Sequence, residues 1–517
     1  MRNRPNILWI MTDQFHAGCM SFLGSQCRTP NLDGLAADGV CFERAYCNNP
    51  ICAPSRANFF TGQYQHTNGI QGNRVAMLEG PHADTVAALL RRSGYRNGMF
   101  GKAHLPRQWI EEGFERIRYT DLADAKPSDP RTCHYFDYLD ERGLAGWYED
   151  GTPRPDSPGH LDGSTPADLP YEHSIEHFTG SETLSFLEDG QEDARPFFIQ
   201  MSFQRPHAPM RPAREYFDLY DPDEIELPAS AVDFFENGFA GKPQFMIDRL
   251  KNGCRYPLAD RNPAALRQVL AAYYALIHCI DMEIGRVVDW LKTVGKYEDT
   301  IVVFTADHGD FAGDHGLFHK NFGIYESLHR IPFVVRLPQG ARNERRGQII
   351  ESVDLFPTLC ELCGLEIPES VEGRSLVPVL EDVGVQGKEE ALCEWSWMQP
   401  VQRINALRTE RYRLVYYDRE IGGELYDHES DPGEIRNLWG EPDYAEVRFE
   451  LMQRLFDRVN GYRARLEFRD DAVILRDERL SPTTLLHKNQ ADWERLKEVY
   501  ETPVPARGPW REGRLPG

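Results

Sequence analysis

Several hydrophobic runs in this chain stop on an ionisable residue. NILWIMTD, residues 6–13, is apolar until Thr12-Asp13, the pattern of a strand buried on both faces that delivers Asp13 at its carboxyl end. GMFGKAH (98–104) runs into Lys102 and His104, which two-residue alternation places on the same side of a strand. PFFIQMSFQRPHAP (196–209) breaks at Pro206 and presents His207, and DTIVVFTADHGD (299–310) ends at Asp307-His308. Ligands bind beyond the carboxyl ends of strands in open α/β sheets, so these four endings predict one sheet edge that is an active site.

Between the strands the period changes from two to that of a helix. TPNLDGLAADGVCFERAY (29–46) reads as a helix with Leu32, Leu35 and Ala36 on its apolar side, followed by a short strand. Residues 55–61 read as a helix opening at the turn Cys52-Ala53-Pro54-Ser55-Arg56, with its backbone amides aimed at the pocket. Val269–Leu291 is helical in period, and PFVVRLP (332–338) is a further strand. The alternation predicts an α/β fold, a large mixed but mostly parallel sheet sandwiched by helices.

Beyond Pro378 the texture shifts. INALRTERYRLVYY and GGELYDHESDP read as antiparallel strands, and YAEVRFELMQRLFDRV places Val447, Leu451, Leu455 and Val459 on one helical face. This predicts a catalytic domain over 1–380 and a smaller α+β domain over 381–517. The stretches 105–195 and 205–262 show little periodicity and read as long lid or binding loops. Trp109, Tyr135, Phe136, Trp147 and Tyr148 in the first of them either wall a substrate pocket or pack the segment onto the sheet. The tail ETPVPARGPWREGRLPG, rich in Pro, Gly and Arg, has no regular pattern and is suited to wrap a neighbouring subunit in a homo-oligomer or to fray.

Composition narrows the function. A net charge of −23 over 517 residues argues against nucleic acid, which needs clustered Lys and Arg. No apolar stretch is long enough to cross a bilayer, which argues against a membrane protein. The eleven cysteines are scattered without the dense framework of small secreted proteins, which fits reduced thiols in a cytoplasm. Cys360 and Cys363 form a CxxC with no second pair at zinc spacing and read as helix-face residues. Met1-Arg2-Asn3-Arg4-Pro5 is charged like the start of a signal peptide, but the apolar run after it is too short for one.

Asp13, Asp307 and His308, joined by an oxygen from residue 52 and the carbonyl of Gln14, suffice for one divalent cation. Such oxygen-rich sets suit calcium first, with manganese or magnesium as alternatives. Taken singly, an Asp at a strand end is more often a helix cap or ion-pair partner than a ligand, and only the joint set reverses that. Lys102, His104, His207 and Lys320 (in GLFHKNFGIYE) are each, alone, candidates for solvated surface groups. Together they suit a tetrahedral anion, whose nonbridging oxygens need neutralising and whose leaving oxygen needs a proton.

From NILWIMTDQ through CAPSRANFFTGQY, GKAH, FTADHGDFAGDHGL, SVDLFPTL, EGRSLVPVL and LYDHESDPGEIRNL, the chain resembles a type I sulfatase of the alkaline phosphatase superfamily. The resemblance implies that a maturation enzyme oxidises Cys52 in CAPSR to Cα-formylglycine, whose hydrate attacks a sulfate ester of a small molecule or saccharide. It implies that Asp13, Gln14, residue 52, Asp307 and His308 hold the metal and that Arg56 holds the diol. His104 is implied as the base for sulfate release, with Lys102 beside it on the anion and His207 and Lys320 at the leaving oxygen. Many family members carry Asp at position 14 and Asn at position 308. The Gln14 and His308 pattern resembles choline-sulfatase-like and phosphonate monoester hydrolase-like members, so a phosphonate monoester or phosphodiester is the competing substrate class. A binding protein with unmodified Cys52 is the competing reading outside enzymes.

Overall fold

The computed structural model describes residues 4–73, 84–121, 133–145, 164–253, 262–320, 323–398, 401–418, 420 and 422–461, with three further strands beyond them. Trp147, Tyr148 and the tail at 501–517 lie outside the described residues. The chain divides into two compact units, 1–456 and 457–517.

Among the described residues of the first unit, eight strands form one sheet: β1 (Asn6–Asp13), β2 (Val40–Tyr46), β3 (Arg96–Gly101), β4 (Arg116–Tyr119), β5 (Phe197–Pro206), β6 (Thr300–Ala306), β7 (Phe333–Arg336) and β8 (Glu344–Glu351). Their order is β4-β3-β5-β1-β6-β7-β2-β8. β7 runs antiparallel to both neighbours and every other pairing is parallel. The expected mixed, mostly parallel sheet is therefore present. β3, β5, β1 and β6 are successive neighbours, so the four endings singled out above emerge at one edge.

The helix Pro30–Ala37 buries Leu32, Leu35 and Ala36 as its period requires. The helix Pro263–Thr293 is capped by Asn262, whose side chain accepts from the amides of Ala264 and Ala265. The helix Cys52–Thr61 has all ten residues buried and ends on Gly62 in the left-handed region. Beneath it Trp9 of β1 meets Phe60 at 5.1 Å and Phe59 at 5.7 Å between ring centroids. Aromatic pairs of this kind add about 0.5–1.5 kcal/mol beyond their buried area.

The segment 105–195 is more regular than its sequence suggests. It contains Arg107–Gly113, His134–Asp140 and the fifteen-residue helix Ile175–Asp189, capped by Ser174 accepting from the His177 amide. The last was obscured because Glu176, Thr179, Gly180 and Thr183 lie on its buried side, where an apolar stripe would normally announce a helix. Trp109 is buried in the main core, and Tyr135 lies in a cluster with Leu139, Leu169 and Phe178. Both pack the segment down. The stretch 205–262 likewise holds the helices Ala229–Asn237 and Gln244–Gly253.

A second sheet of the same unit, in the order β12-β11-β10-β9, is antiparallel throughout: β9 (Glu390–Met398), β10 (Val401–Thr409), β11 (Tyr412–Tyr417) and β12 (Gly423–Asp427). The unit 457–517 contains a three-stranded antiparallel sheet of Arg465–Arg469, Ala472–Arg476 and Thr484–Leu485. The ten cysteines among the described residues are free and buried. Burial pushes the Cys360 thiol up to about 12 and Cys363 to about 11. Both behave as apolar residues of the helix Leu355–Leu362 and its cap. No helix among the described residues is long and apolar enough to cross a membrane.

Candidate active site

The chain turns sharply where each strand delivers its polar group. β1 stops at Asp13, and Gln14 adopts φ 66°. β3 stops one residue before Lys102, at Gly101 with φ 106°, where a Cβ would sit 1.7 Å from the Ser202 carbonyl oxygen. Only glycine fits so close an approach. Lys102 and His104 therefore follow the strand instead of alternating along it, and His104 itself has φ 48°, which corrects the expectation that they share a strand face. Neither is a surface group: they are 4 % and 7 % exposed.

Cys52 is the first residue of its helix and 1 % exposed. Its Sγ lies 3.6 Å from Asp13 Oδ1, 3.4 Å from His308 Nε2 and 3.0 Å from Lys320 Nζ. Ligand atoms of Asp13, Cys52, Asp307 and His308 all lie within 4.8 Å of one another, and all four residues are buried. Lys320 Nζ also donates to Gln14 Oε1 at 2.9 Å and lies 3.4 Å from His308 Nε2. Lys102 Nζ pairs with Asp13 Oδ2.

Arg56 ties the helix Cys52–Thr61 to the ends of β6 and β3 and to β5. Its Nε donates to Asp307 Oδ2 at 2.9 Å, and its Nη1 donates to the Lys102 carbonyl and to Ser202 Oγ, each at 2.8 Å. Nη2 is buried with no hydrogen-bond partner among the described residues, as are both ring nitrogens of His104. Such buried polar groups need a partner, and the donors among them suit an oxygen-rich anion. The expected donation from helix amides is weaker than the sequence suggested. The Ala53 amide goes to Asn73 Oδ1, Pro54 has none, and the Ser55 amide bonds the Ile51 carbonyl.

The electrostatics follow from these contacts. Burial raises the Cys52 thiol, yet Lys102 and Lys320 outweigh it and hold the group well below its usual range. Burial and Cys52 push Asp13 up, and Lys102, His207 and Lys320 reverse this, leaving it low. Burial lowers the basicity of His308, but Asp307 prevails and lifts it to about 9. His308 Nδ1 lies 2.8 Å from the Gly309 carbonyl, which can only accept, so in the neutral ring Nε2 is the lone-pair nitrogen facing the cluster. Burial and then Lys320 depress His207 to about 3, and its Nδ1 donates to the Ala208 carbonyl at 2.9 Å.

Two buried carboxylates, an imidazole lone pair and an amide oxygen converging on residue 52 fit a divalent cation by donor chemistry. Sequence reasoning missed several residues that hold this arrangement: Tyr273, which donates to the Gln14 carbonyl at 2.9 Å; Ser202; and Asp310, which accepts from Gln14 Nε2 at 2.7 Å. Asp310 had a signal, a second carboxylate in the run ADHGD. Tyr273 and Ser202 had none, because nothing in their own segments distinguishes them from core residues.

The chain is similar to known proteins over most of its length. The Sulfatase family model matches residues 5–365, and the model described as "N-sulphoglucosamine sulphohydrolase, C-terminal" matches 313–460. An arylsulfatase of Clostridium perfringens is 30 % identical over 485 residues, covering 89 % of this chain and 96 % of its own. An N-acetylglucosamine-6-O-sulfatase of Bacteroides thetaiotaomicron is 27 % identical, covering 92 % and 90 %. Among solved structures, a phosphonate monoester hydrolase from Silicibacter pomeroyi superposes with TM-score 0.74 at 26 % identity, covering 89 % of this chain and 96 % of that one. With a family model spanning the whole large sheet and curated relatives matched along nearly their full length, the chain belongs to the sulfatase family of the alkaline phosphatase superfamily and is an enzyme.

Proposed function

We propose that this enzyme hydrolyses a sulfate monoester of a small molecule or saccharide, using residue 52 as nucleophile after a maturation enzyme has converted Cys52 to formylglycine. The observation that carries the reading is the placement of Cys52 Sγ within 3.6 Å of Asp13, His308 and Lys320 in one buried cluster. A divalent cation, Ca2+ in the first instance with Mn2+ or Mg2+ as alternatives, would be held by Asp13, Gln14, Asp307, His308 and residue 52, and supplies Lewis acidity when bound.

In this reading Lys102 binds a nonbridging oxygen of the ester, and Arg56 orients the hydrated side chain of residue 52. One hydroxyl of that hydrate, giving up its proton to solvent, attacks sulfur. The sulfur–oxygen bond to the alcohol breaks, and the alcohol oxygen takes a proton from His207 or Lys320. A bound anion opposes the effect of Lys320 on His207 and so favours the protonated imidazole. His104 then removes a proton from the second hydroxyl, the bond between residue 52 and the sulfate breaks, and the aldehyde returns.

Peptide mass spectrometry of protein from its native host tests the nucleophile, through the mass change for CHO in place of CH2SH at residue 52. Cys52→Ala is expected to abolish turnover with the fold intact. Unmodified Cys52 in a fully active preparation would refute the mechanism. Gln14 and His308, with the phosphonate monoester hydrolase likeness, support a second reading as a phosphonate monoester or phosphodiester hydrolase. Parallel assays on aryl sulfate and aryl phosphonate esters decide between them by kcat/KM.

A further inference from the structure

Position 14 carries an amide among carboxylate ligands, and an amide can present either its oxygen or its nitrogen to a cation. The buried groups behind it determine which. Gln14 Nε2 lies 2.7 Å from Asp310 Oδ2 and 2.7 Å from His319 Nδ1, while Gln14 Oε1 lies on the other side, 2.9 Å from Lys320 Nζ. An ionised carboxylate only accepts, so the reverse amide orientation would set Gln14 Oε1 against Asp310 Oδ2. Lys320 Nζ is also the common neighbour of Cys52 Sγ and His308 Nε2, so Oε1 points to the same place as the other donors.

Asp310 is itself held rigidly. It is buried, and its Oδ1 accepts from the Ala312 amide at 2.6 Å and the His319 amide at 3.0 Å. Gln14 is fixed from the backbone side, its amide donating to Asp307 Oδ1 at 3.0 Å and its carbonyl accepting from Tyr273.

We propose that Asp310 is a positioning residue that locks the Gln14 amide with its oxygen toward the cation-binding cluster, so that Gln14 and Asp310 act as one unit in setting divalent-metal affinity. The inference rests on the functional reading above only for the presence of a metal. With Gln14 as the inner group and Asp310 behind it, one negative charge is moved out of the cluster without losing its hold on the oxygen ligand. Partners of this kind behind a metal ligand are worth roughly 10–100-fold in affinity.

The test is a double-mutant cycle on the full-length protein, with Ca2+ and Mn2+ dissociation constants measured by competition with a chromophoric chelator. Asp310→Asn can keep its oxygen toward the Ala312 and His319 amides but turns an NH2 toward Gln14 Nε2, favouring the flipped amide. It is expected to weaken metal binding by roughly tenfold or more. Gln14→Glu alone sets two carboxylates against each other and is expected to weaken binding as well. The combination Q14E/D310N restores complementarity, with the amide introduced at position 310 donating to the carboxylate introduced at position 14, and should recover affinity to within a few-fold of the starting protein.

Wild-type affinity in D310N, or a double variant no tighter than the worse single one, overturns the inference. Loss in D310N through a damaged fold would not be reversed by Q14E and would give that second result. A starting protein without measurable affinity for either cation overturns both this inference and the metal-dependent reading, whereas failure confined to the variants leaves that reading standing.

Discussion

At the scale of single residues, the site depends on a few buried charges that cannot be removed without exposing their partners to an apolar interior. Arg56→Ala would strip buried Asp307 Oδ2 of its guanidinium donor, and loss of one member of a buried pair costs about 3–5 kcal/mol. We expect a matching fall in stability by denaturant titration together with loss of turnover. Arg56→Lys should recover stability better than activity, since an ammonium cannot reproduce the three-way fork to Asp307, Lys102 and Ser202. His207 tests proton delivery. His207→Ala should lower kcat/KM more on esters of poor leaving groups than on activated aryl esters, and equal losses on both would remove it from that role. Asp13, Asp307 and His308 could be picked out in the sequence because each lies in a short run with a sharp change from apolar to ionisable, and Cys52 because it opens the CAPSR motif. Asp310 and Tyr273 act through side chains they meet only in the folded protein.

At the scale of elements, the helix Cys52–Thr61 is a rigid mount. All ten of its residues are buried, and Phe60 is packed between Trp9 and Phe114 at 5.1 and 6.4 Å. Phe60→Ala should cost about 3–5 kcal/mol, as large-to-small changes in a close-packed core do, read as a lowered denaturation midpoint. The strands were legible because burial on both faces makes each a continuous apolar run. The helix Ile175–Asp189 was not, because its buried side carries Glu176, Thr179 and Thr183. The two threonines are satisfied within the helix: Thr179 Oγ1 donates to the Ile175 carbonyl at 2.9 Å and Thr183 Oγ1 to the Thr179 carbonyl at 2.8 Å.

At the scale of the first unit, the antiparallel sheet braces the active site from both sides. Before Cys52, the Glu394 amide donates to the Asn48 carbonyl at 2.9 Å and Asn48 Nδ2 to the Leu392 carbonyl at 2.8 Å. After Lys320, Glu434 accepts from the Glu326 amide at 2.7 Å, and Arg413 pairs with both Glu326 and Glu434. Burial raises Glu434, but Arg413 and His428 bring it down from 4.5 to about 2. A carboxylate whose folded value lies below its unfolded one stabilises the fold at pH above about 4.5 and loses that contribution as pH falls toward 2. Glu434→Gln should therefore be less stable at neutral pH and show a shallower loss between pH 4.5 and 2, measured by denaturation at fixed pH. The same slope in both proteins would show that this ion pair does not brace the fold.

The sequence by itself determined the α/β alternation, the strand endings that supply the chemistry and the CAPSR run that marks residue 52, because hydrophobic period and local motif are properties of neighbours along the chain. Only the tertiary structure decided that β3, β5, β1 and β6 lie side by side, that Arg56 joins β5 to the ends of β3 and β6, and that Asp310 stands behind Gln14. Those are contacts between residues as many as 296 positions apart, and hydrogen bonds at that separation depend on strand order and close packing, which no local pattern encodes.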